Sequence, residues 1–132
     1  MAATFELDGE LGQDLLSLAV SRPNEALKRA RTILASDPSP LAASAARQAI
    51  GLVLREYGDI DAAIHELRIA RQLARRAGSS ALEADVLGTL GVALIFAGRS
   101  ISGRNALDAA VRQSTGHLNR RMLFRCGAAL VI

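Results

Sequence analysis

Apolar residues recur along this chain at intervals of three and four, and the blocks they form end at glycine or proline. Residues 60–77 give the clearest case. Ile60, Ala63, Ile64, Leu67, Ala70, Leu73, Ala74 and Ala77 fall on one face of a helix, while Arg68, Arg71, Arg75 and Arg76 lie largely off it. The next block, with Leu82, Val86, Leu87, Leu90, Val92, Leu94, Ile95 and Phe96, is apolar nearly all round. It predicts a helix covered on more than one side, in the middle of a stack. Gly58, Gly78, Gly98 and Gly116 each follow such a block, where a left-handed C-cap residue belongs. Starts are marked as well. Ser39 places a capping hydroxyl before the first-turn Pro40, Ser80–Ala81–Leu82–Glu83 fits a capping box, and Asp59 and Ser100 stand as N-caps just past their glycines. Together these signals predict seven helices, over about 8–20, 23–36, 40–57, 60–77, 80–97, 101–115 and 118–131.

The chain also repeats itself. Residues 49–70, AIGLVLREYGDIDAAIHELRIA, align with residues 89–110, TLGVALIFAGRSISGRNALDAA, at a constant shift of 40. Gly51 matches Gly91 in mid-helix and Gly58 matches Gly98 at the turn. Leu54 matches Leu94, Leu67 matches Leu107 and Ala70 matches Ala110. Ala63 matches Gly103, both small, whereas Ile64 meets Arg104. A partial copy starts at LFRCGAALVI, carrying Gly127, and PNEALKRARTILASDP reads as the second helix of an earlier, degenerate copy. A glycine inside an exposed helix costs about 1 kcal/mol relative to alanine, and close approach of a neighbouring helix is the natural compensation. Helix pairs too small to hold a core of their own stack on the next pair.

These residues resemble tetratricopeptide repeats (TPRs). Ile50–Gly51, Leu54, Gly58–Asp59, Ala63, Leu67 and Ala70 follow that pattern closely. Leu90–Gly91, Leu94, Gly98, Gly103, Leu107 and Ala110 follow it with more departures, and Cys126–Gly127 and Leu130 begin another unit. The resemblance implies an all-α, right-handed α-solenoid of antiparallel helix hairpins. It forms one domain over 1–132, with a degenerate repeat at 8–38, full ones at 40–78 and 80–116, and an incomplete one at 118–132. The spacing of 36 to 40 exceeds the family's usual repeat of about 34 residues, which implies longer helices. The segment from Ile50 to Arg99 is also similar to the arrays preceding the peptidase-like CHAT domain in some bacterial proteins, and to the sensor arrays of large bacterial transcription regulators. On that likeness any catalysis would belong to a further domain.

In TPR proteins the first helices of the pairs line a concave groove. The resemblance puts Gln48, Leu52, Arg55 and Glu56, then Asp85, Thr89, Val92 and Phe96, then Arg121, Phe124 and Arg125 along it. It places Gly51, Gly58, Ala63, Leu67, Ala70, Gly91, Gly98, Gly103, Leu107, Ala110 and Gly127 in repeat packing. The groove set lacks the Lys/Asn/Arg clamp of chaperone-type TPRs, so that activity does not carry over. An apolar groove flanked by arginine suits an amphipathic helix, an extended peptide or an adjacent domain.

Composition agrees with a helical stack. Half of the 132 residues are hydrophobic but only 3% are aromatic, so the core is aliphatic and made of helix formers. The single cysteine, Cys126, cannot form an internal disulfide. MAATFELDGELGQDL has neither the basic start nor the apolar run of a signal peptide. The longest apolar stretch, residues 86–97, falls short of the about 20 residues a membrane span needs. The expectation is a soluble, cytoplasmic protein with no membrane contact. The apolar ending Leu130–Val131–Ile132 lacks a polar capping helix, which fits truncation of a longer protein first, or pairing with another copy, or docking of a partner, and self-association through residues 118–132 is expected.

The net charge of +3 is unevenly spread: residues 1–61 carry nine acids and six bases, residues 62–132 four acids and ten bases. This admits a second function class, a basic helical module that binds nucleic acid through Arg71, Arg75, Arg76, Arg112, Arg120, Arg121 and Arg125, provided these share a face. Near absence of aromatics weighs against it. Catalytic chemistry has one candidate, Asp59 and Asp61 with His65. Asp59 falls at a turn, Asp61 in the first turn of the next helix, and His65 one turn further on. The matching copy has Arg99, Ile101 and Asn105 there, so the trio is not part of the repeat. His65 and His117 lack Cys or carboxylate ligands at metal spacing, and no glycine-rich loop precedes the only lysine, Lys28. No catalytic residue, cofactor or metal is assigned, and the chain is read as a protein-interaction scaffold, not an enzyme.

Overall fold

The computed structural model describes residues 14–114, and every regular element among them is an α-helix. There are six: α1 (residues 14–21), α2 (Pro23–Ala35), α3 (Pro40–Glu56), α4 (Ile60–Arg76), α5 (Ser80–Phe96) and α6 (Ser100–Gln113). The predicted seventh helix, over 118–131, lies outside the described residues, as do Gly116, Gly127 and the expected start of the first helix.

The breaks have local causes. Pro23 keeps Arg22 out of helical angles (φ −141°, ψ 74°), so α1 and α2 are separated by that one residue. At the ends of α3, α4 and α5, Gly58, Gly78 and Gly98 take φ of 86°, 71° and 82°. The following N–H reaches back five residues in each case: Asp59 to the Leu54 carbonyl at 2.9 Å, Ser79 to Ala74 at 3.2 Å, and Arg99 to Leu94 at 2.9 Å. These are Schellman closures, which satisfy orphaned carbonyls while turning the chain. At the end of α2 the left-handed position is taken by Asp37 (φ 54°), a residue type that tolerates it.

Two of the predicted caps shift by one residue. Ser79, not Ser80, caps α5 and accepts from the Leu82 amide at 3.1 Å, so Glu83 sits too far along to close a capping box. Arg99 takes the N-cap position of α6, which leaves Ser100 as the first helical residue. Asp59 is the N-cap of α4, but its carboxylate makes no capping bond. Its ψ of 71° departs from the extended backbone of Ser39 (ψ 159°), whose hydroxyl does accept from the Ala42 amide at 3.1 Å.

From α2 onward consecutive helices pack antiparallel. Ser44 of α3 donates to the Ala70 carbonyl of α4 at 2.7 Å, while Gly51, further along α3, faces Ala63 and Leu67, earlier in α4. In α5 and α6, Glu83 meets Gln113 at one end and Gly91 meets Gly103 further along. Helix α5 touches α3, α4 and α6 and is buried without interruption from Glu83 to Leu94, as its all-round apolar pattern requires.

The 40-residue shift seen in the sequence recurs in the contacts. A Cβ added at Gly51 would stand 2.7 Å from Leu67 Cγ. A Cβ at Gly91 would stand 2.8 Å from Leu107 Cγ and 3.0 Å from the Gly103 carbonyl oxygen. At Gly91 the successor helix's own backbone crowds the position, whereas at Gly51 the Leu67 side chain fills the space a methyl would take. Helices α3 and α5 run side by side in the same direction: Gln48 meets Asp85 and Thr89, and Arg55, further along α3, meets Phe96, further along α5.

Candidate functional site

The residues expected to line a groove on α3 and α5 divide into two groups. Gln48, Asp85 and Thr89 are buried together. Gln48 Nε2 donates to Asp85 Oδ2 at 2.8 Å and to Thr89 Oγ1 at 3.2 Å, and Thr89 Oγ1 donates to the Asp85 carbonyl at 3.3 Å. They tie α3 to α5 through a polar seam. Leu52 is buried with Leu16 and Ala19 of α1, and Val92 with Leu107 of α6. These five positions are occupied by packing within the stack.

The remaining described positions form the rim where α3 and α5 end. Glu56 is exposed and the Phe96 side chain is 47% exposed. Arg55 lies between them, 5.9 Å from the Phe96 ring centroid, donating to Glu56 Oε1 at 3.1 Å. Its side chain is only 12% exposed, and Nε and Nη1 are buried without acceptors. Burial pushes the guanidinium pKa below its ordinary value, opposed by the Glu56 carboxylate. Arg121, Phe124 and Arg125 lie outside the described residues.

A second concavity was not singled out by the sequence. Helices α4 and α6 both pack on α5, and no Cα of one comes within 8 Å of a Cα of the other. Between them lies a cleft of about 590 Å³. One wall is α4, with Arg68, Arg71, Gln72 and Arg75; the floor is Leu87, Leu90 and Leu94 of α5; the other wall is α6, with Ser102, Asn105, Ala106 and Ala109. The cleft stays open because the α6 side chains are short. One copy earlier, the positions equivalent to Leu87, Ala106 and Ala109 carry Arg47, Glu66 and Ile69, and Arg47 Nη1 bridges to Glu66 at 2.9 and 3.2 Å. The signal was therefore present in the repeat alignment, in the replacement of a long ion pair by leucine and alanine.

The cleft's electrostatics are one-sided. Arg71 and Arg75 each place Nε 3.7 Å from Glu83 Oε1, and Gln113 Nε2 donates to the same oxygen at 3.4 Å. A separation of 3.7 Å lies beyond hydrogen-bonding range, so Glu83 balances part of the charge without taking up the arginine donors. Arg71 Nε is buried and has no acceptor.

Of the arginines considered for nucleic acid, Arg71 and Arg75 share this wall, Arg76 and Arg112 are exposed away from the lining, and Arg120, Arg121 and Arg125 lie outside the described residues. Asp61 and His65 are exposed on α4. Among the described residues no group of three or more His, Cys, Asp or Glu could hold a metal ion, and no helix is long and apolar enough to cross a membrane. Comparison of the chain with protein-family models, curated proteins and solved structures gives no match.

Proposed function

We propose that this chain is a protein-recognition scaffold, a TPR-like, right-handed α-solenoid that supplies surface and performs no catalysis. The supporting observation is that inter-helix contacts recur at the 40-residue shift, with Gly51 against Leu67 and then Gly91 against Leu107. A chain that repeats its packing contacts while varying the residues between them builds shape first and recognition second. Its buried polar groups fit the same role: Gln48, Asp85 and Thr89 join two helices, and Ser44 binds a backbone carbonyl. The partner is a peptide, a helix or an adjacent domain.

Selection of a phage-displayed random peptide library against the purified chain tests this function. Peptides that bind with micromolar dissociation constants are expected. A chain that circular dichroism shows to be folded and helical, yet enriches no peptide, would refute it.

A further inference from the structure

We propose that the cleft between α4 and α6 binds a small, free polyphosphate, a di- or triphosphate group, independently of the recognition-scaffold function. The leucine floor is closed: Leu87, Leu90 and Leu94 are 1%, 4% and 4% exposed. What a ligand can reach is the polar lining above them. Arg68, Gln72 and Arg75 are exposed on the α4 wall, Ser102 and Asn105 are exposed on the α6 wall, and Arg71 is half-buried between the other two arginines. Each of these side chains can donate a hydrogen bond, and none of the described lining residues is acidic. The cleft volume of about 590 Å³ is that of a small-molecule site.

Charge and donor placement select the ligand. Arg68, Arg71 and Arg75 stand at i, i+3 and i+7 on one wall, over about 10 Å of helix. Glu83, 3.7 Å from Nε of both Arg71 and Arg75, is one carboxylate against three guanidinium charges, so the wall stays positive. Arg68 has no ion-pair or hydrogen-bond partner among the described residues, and neither do the Ser102 and Asn105 side chains across the cleft. A carboxylate holds its acceptor oxygens in one plane and pairs with one guanidinium. A phosphate chain presents oxygens on all sides, so it can accept from arginine on one wall and from amide and hydroxyl on the other. Ser102 and Asn105 stand where the earlier copy has Ala62 and His65, so this hydroxyl–amide pair is particular to the cleft and not part of the repeat. A nucleic-acid strand fits less well, because no aromatic among the described lining residues can stack a base.

Isothermal titration of the intact chain with sodium tripolyphosphate tests the site. One ligand per chain is expected to bind with a dissociation constant below about 1 mM at about 0.1 M salt, and more weakly at about 0.5 M. Arg68→Gln/Arg75→Gln, at two exposed positions, is expected to weaken binding about tenfold or more. Asn105→Asp, which sets a carboxylate on the facing wall, is expected to do the same. Lys28→Gln/Arg31→Gln removes as much charge as the arginine pair from exposed positions of α2, and is expected to change affinity less than about twofold. Circular dichroism checks that the helices of each variant are intact. Affinity unchanged in both cleft variants, or lost equally in the α2 control, would overturn the site, as would the lack of saturable binding below about 1 mM. Citrate bound as tightly as tripolyphosphate would overturn the choice of phosphate. An oligothymidylate strand bound more tightly than tripolyphosphate, with the same dependence on Arg68 and Arg75, would assign the cleft to nucleic acid instead. None of these outcomes bears on the peptide selection, so the scaffold function stands or falls separately.

Discussion

Gly103→Ala probes the most crowded of the described glycines. An added methyl would stand 2.5 Å from Ile95 Cγ1, 2.8 Å from the Gly91 carbonyl oxygen and 3.1 Å from the Ile95 backbone nitrogen. Two of these three obstacles are backbone atoms of α5, so no change of rotamer relieves them. Helix α6 must move away by roughly 0.5 Å to restore ordinary contact, and a gap of that size forfeits about a quarter of each attraction across the interface. Overpacking costs about 1–3 kcal/mol, and obstacles that are backbone atoms put this case in the upper part of that range, about 2–3 kcal/mol, against a helix-propensity gain of about 1 kcal/mol for replacing glycine. The expected result is a net loss of about 1–2 kcal/mol, seen as a melting temperature lower by about 5 °C. Gly51→Ala is the internal comparison. Its obstacles are Leu67 Cγ at 2.7 Å and Cδ2 at 2.8 Å, with the nearest backbone atom at 3.4 Å. A side chain can yield where a carbonyl cannot, so Gly51→Ala is expected to lie within about 1 kcal/mol of the wild type. Urea unfolding followed by circular dichroism measures both, with an unchanged denaturant slope as the check that only stability has moved. A Gly103→Ala chain as stable as the wild type would refute the close approach of α5 and α6.

Three further sets of substitutions test other parts of the fold. Gly98 has φ 82° and open space around it, so Gly98→Ala is expected to cost about 1–2 kcal/mol and Gly98→Asn clearly less; equal losses in thermal melts would show that backbone angle is not what selects glycine. Arg47→Leu with Glu66→Ala transplants the second copy's residues into the first, and the double variant is expected within about 1 kcal/mol of the wild type. Arg47→Leu alone, which strands a Glu66 side chain only 17% exposed, should be the less stable of the two, and a double-variant cycle in urea decides it. Arg55→Ile, the residue found one copy later, removes two unpartnered buried N–H groups and forfeits the Phe96 contact and the Glu56 pair. The unpartnered groups weigh more, so calorimetry is expected to show a gain of about 1 kcal/mol.

The helices and turns were legible because each is set by a local cause. The face from Ile60 to Ala77, the all-round apolar block that became α5, and the left-handed positions of Gly58, Gly78 and Gly98 are written in single residues and their spacing. Cap positions were less legible. Ser79 and Ser80 are both hydroxyl residues, and the Schellman closure that brings Ser79 back onto Ala74 decides between them. The groove was least legible, because burial depends on neighbours that a repeat pattern does not specify. Leu52 is covered by Leu16 and Ala19 of a helix outside the two matched copies, and Gln48 is turned inward to donate to Asp85.

The departures between the two copies carry the information that the repeat itself lacks. Where the copies agree, at Gly51 and Gly91 or Leu67 and Leu107, the residues hold one helix against the next. Where they differ, the differences offset one another locally. The bulky, β-branched Ile95 stands in place of Arg55, and opposite it Gly103 stands in place of Ala63, with Ile95 Cγ1 closing the space a methyl would need. A second set of differences leaves space unfilled: Leu87, Ala106 and Ala109 replace Arg47, Glu66 and Ile69, and the lost side-chain volume reappears as the cleft beside Arg68, Arg71 and Arg75. The side chains that shape this cleft therefore lie at positions where the two copies diverge, and not at those that hold one helix against the next.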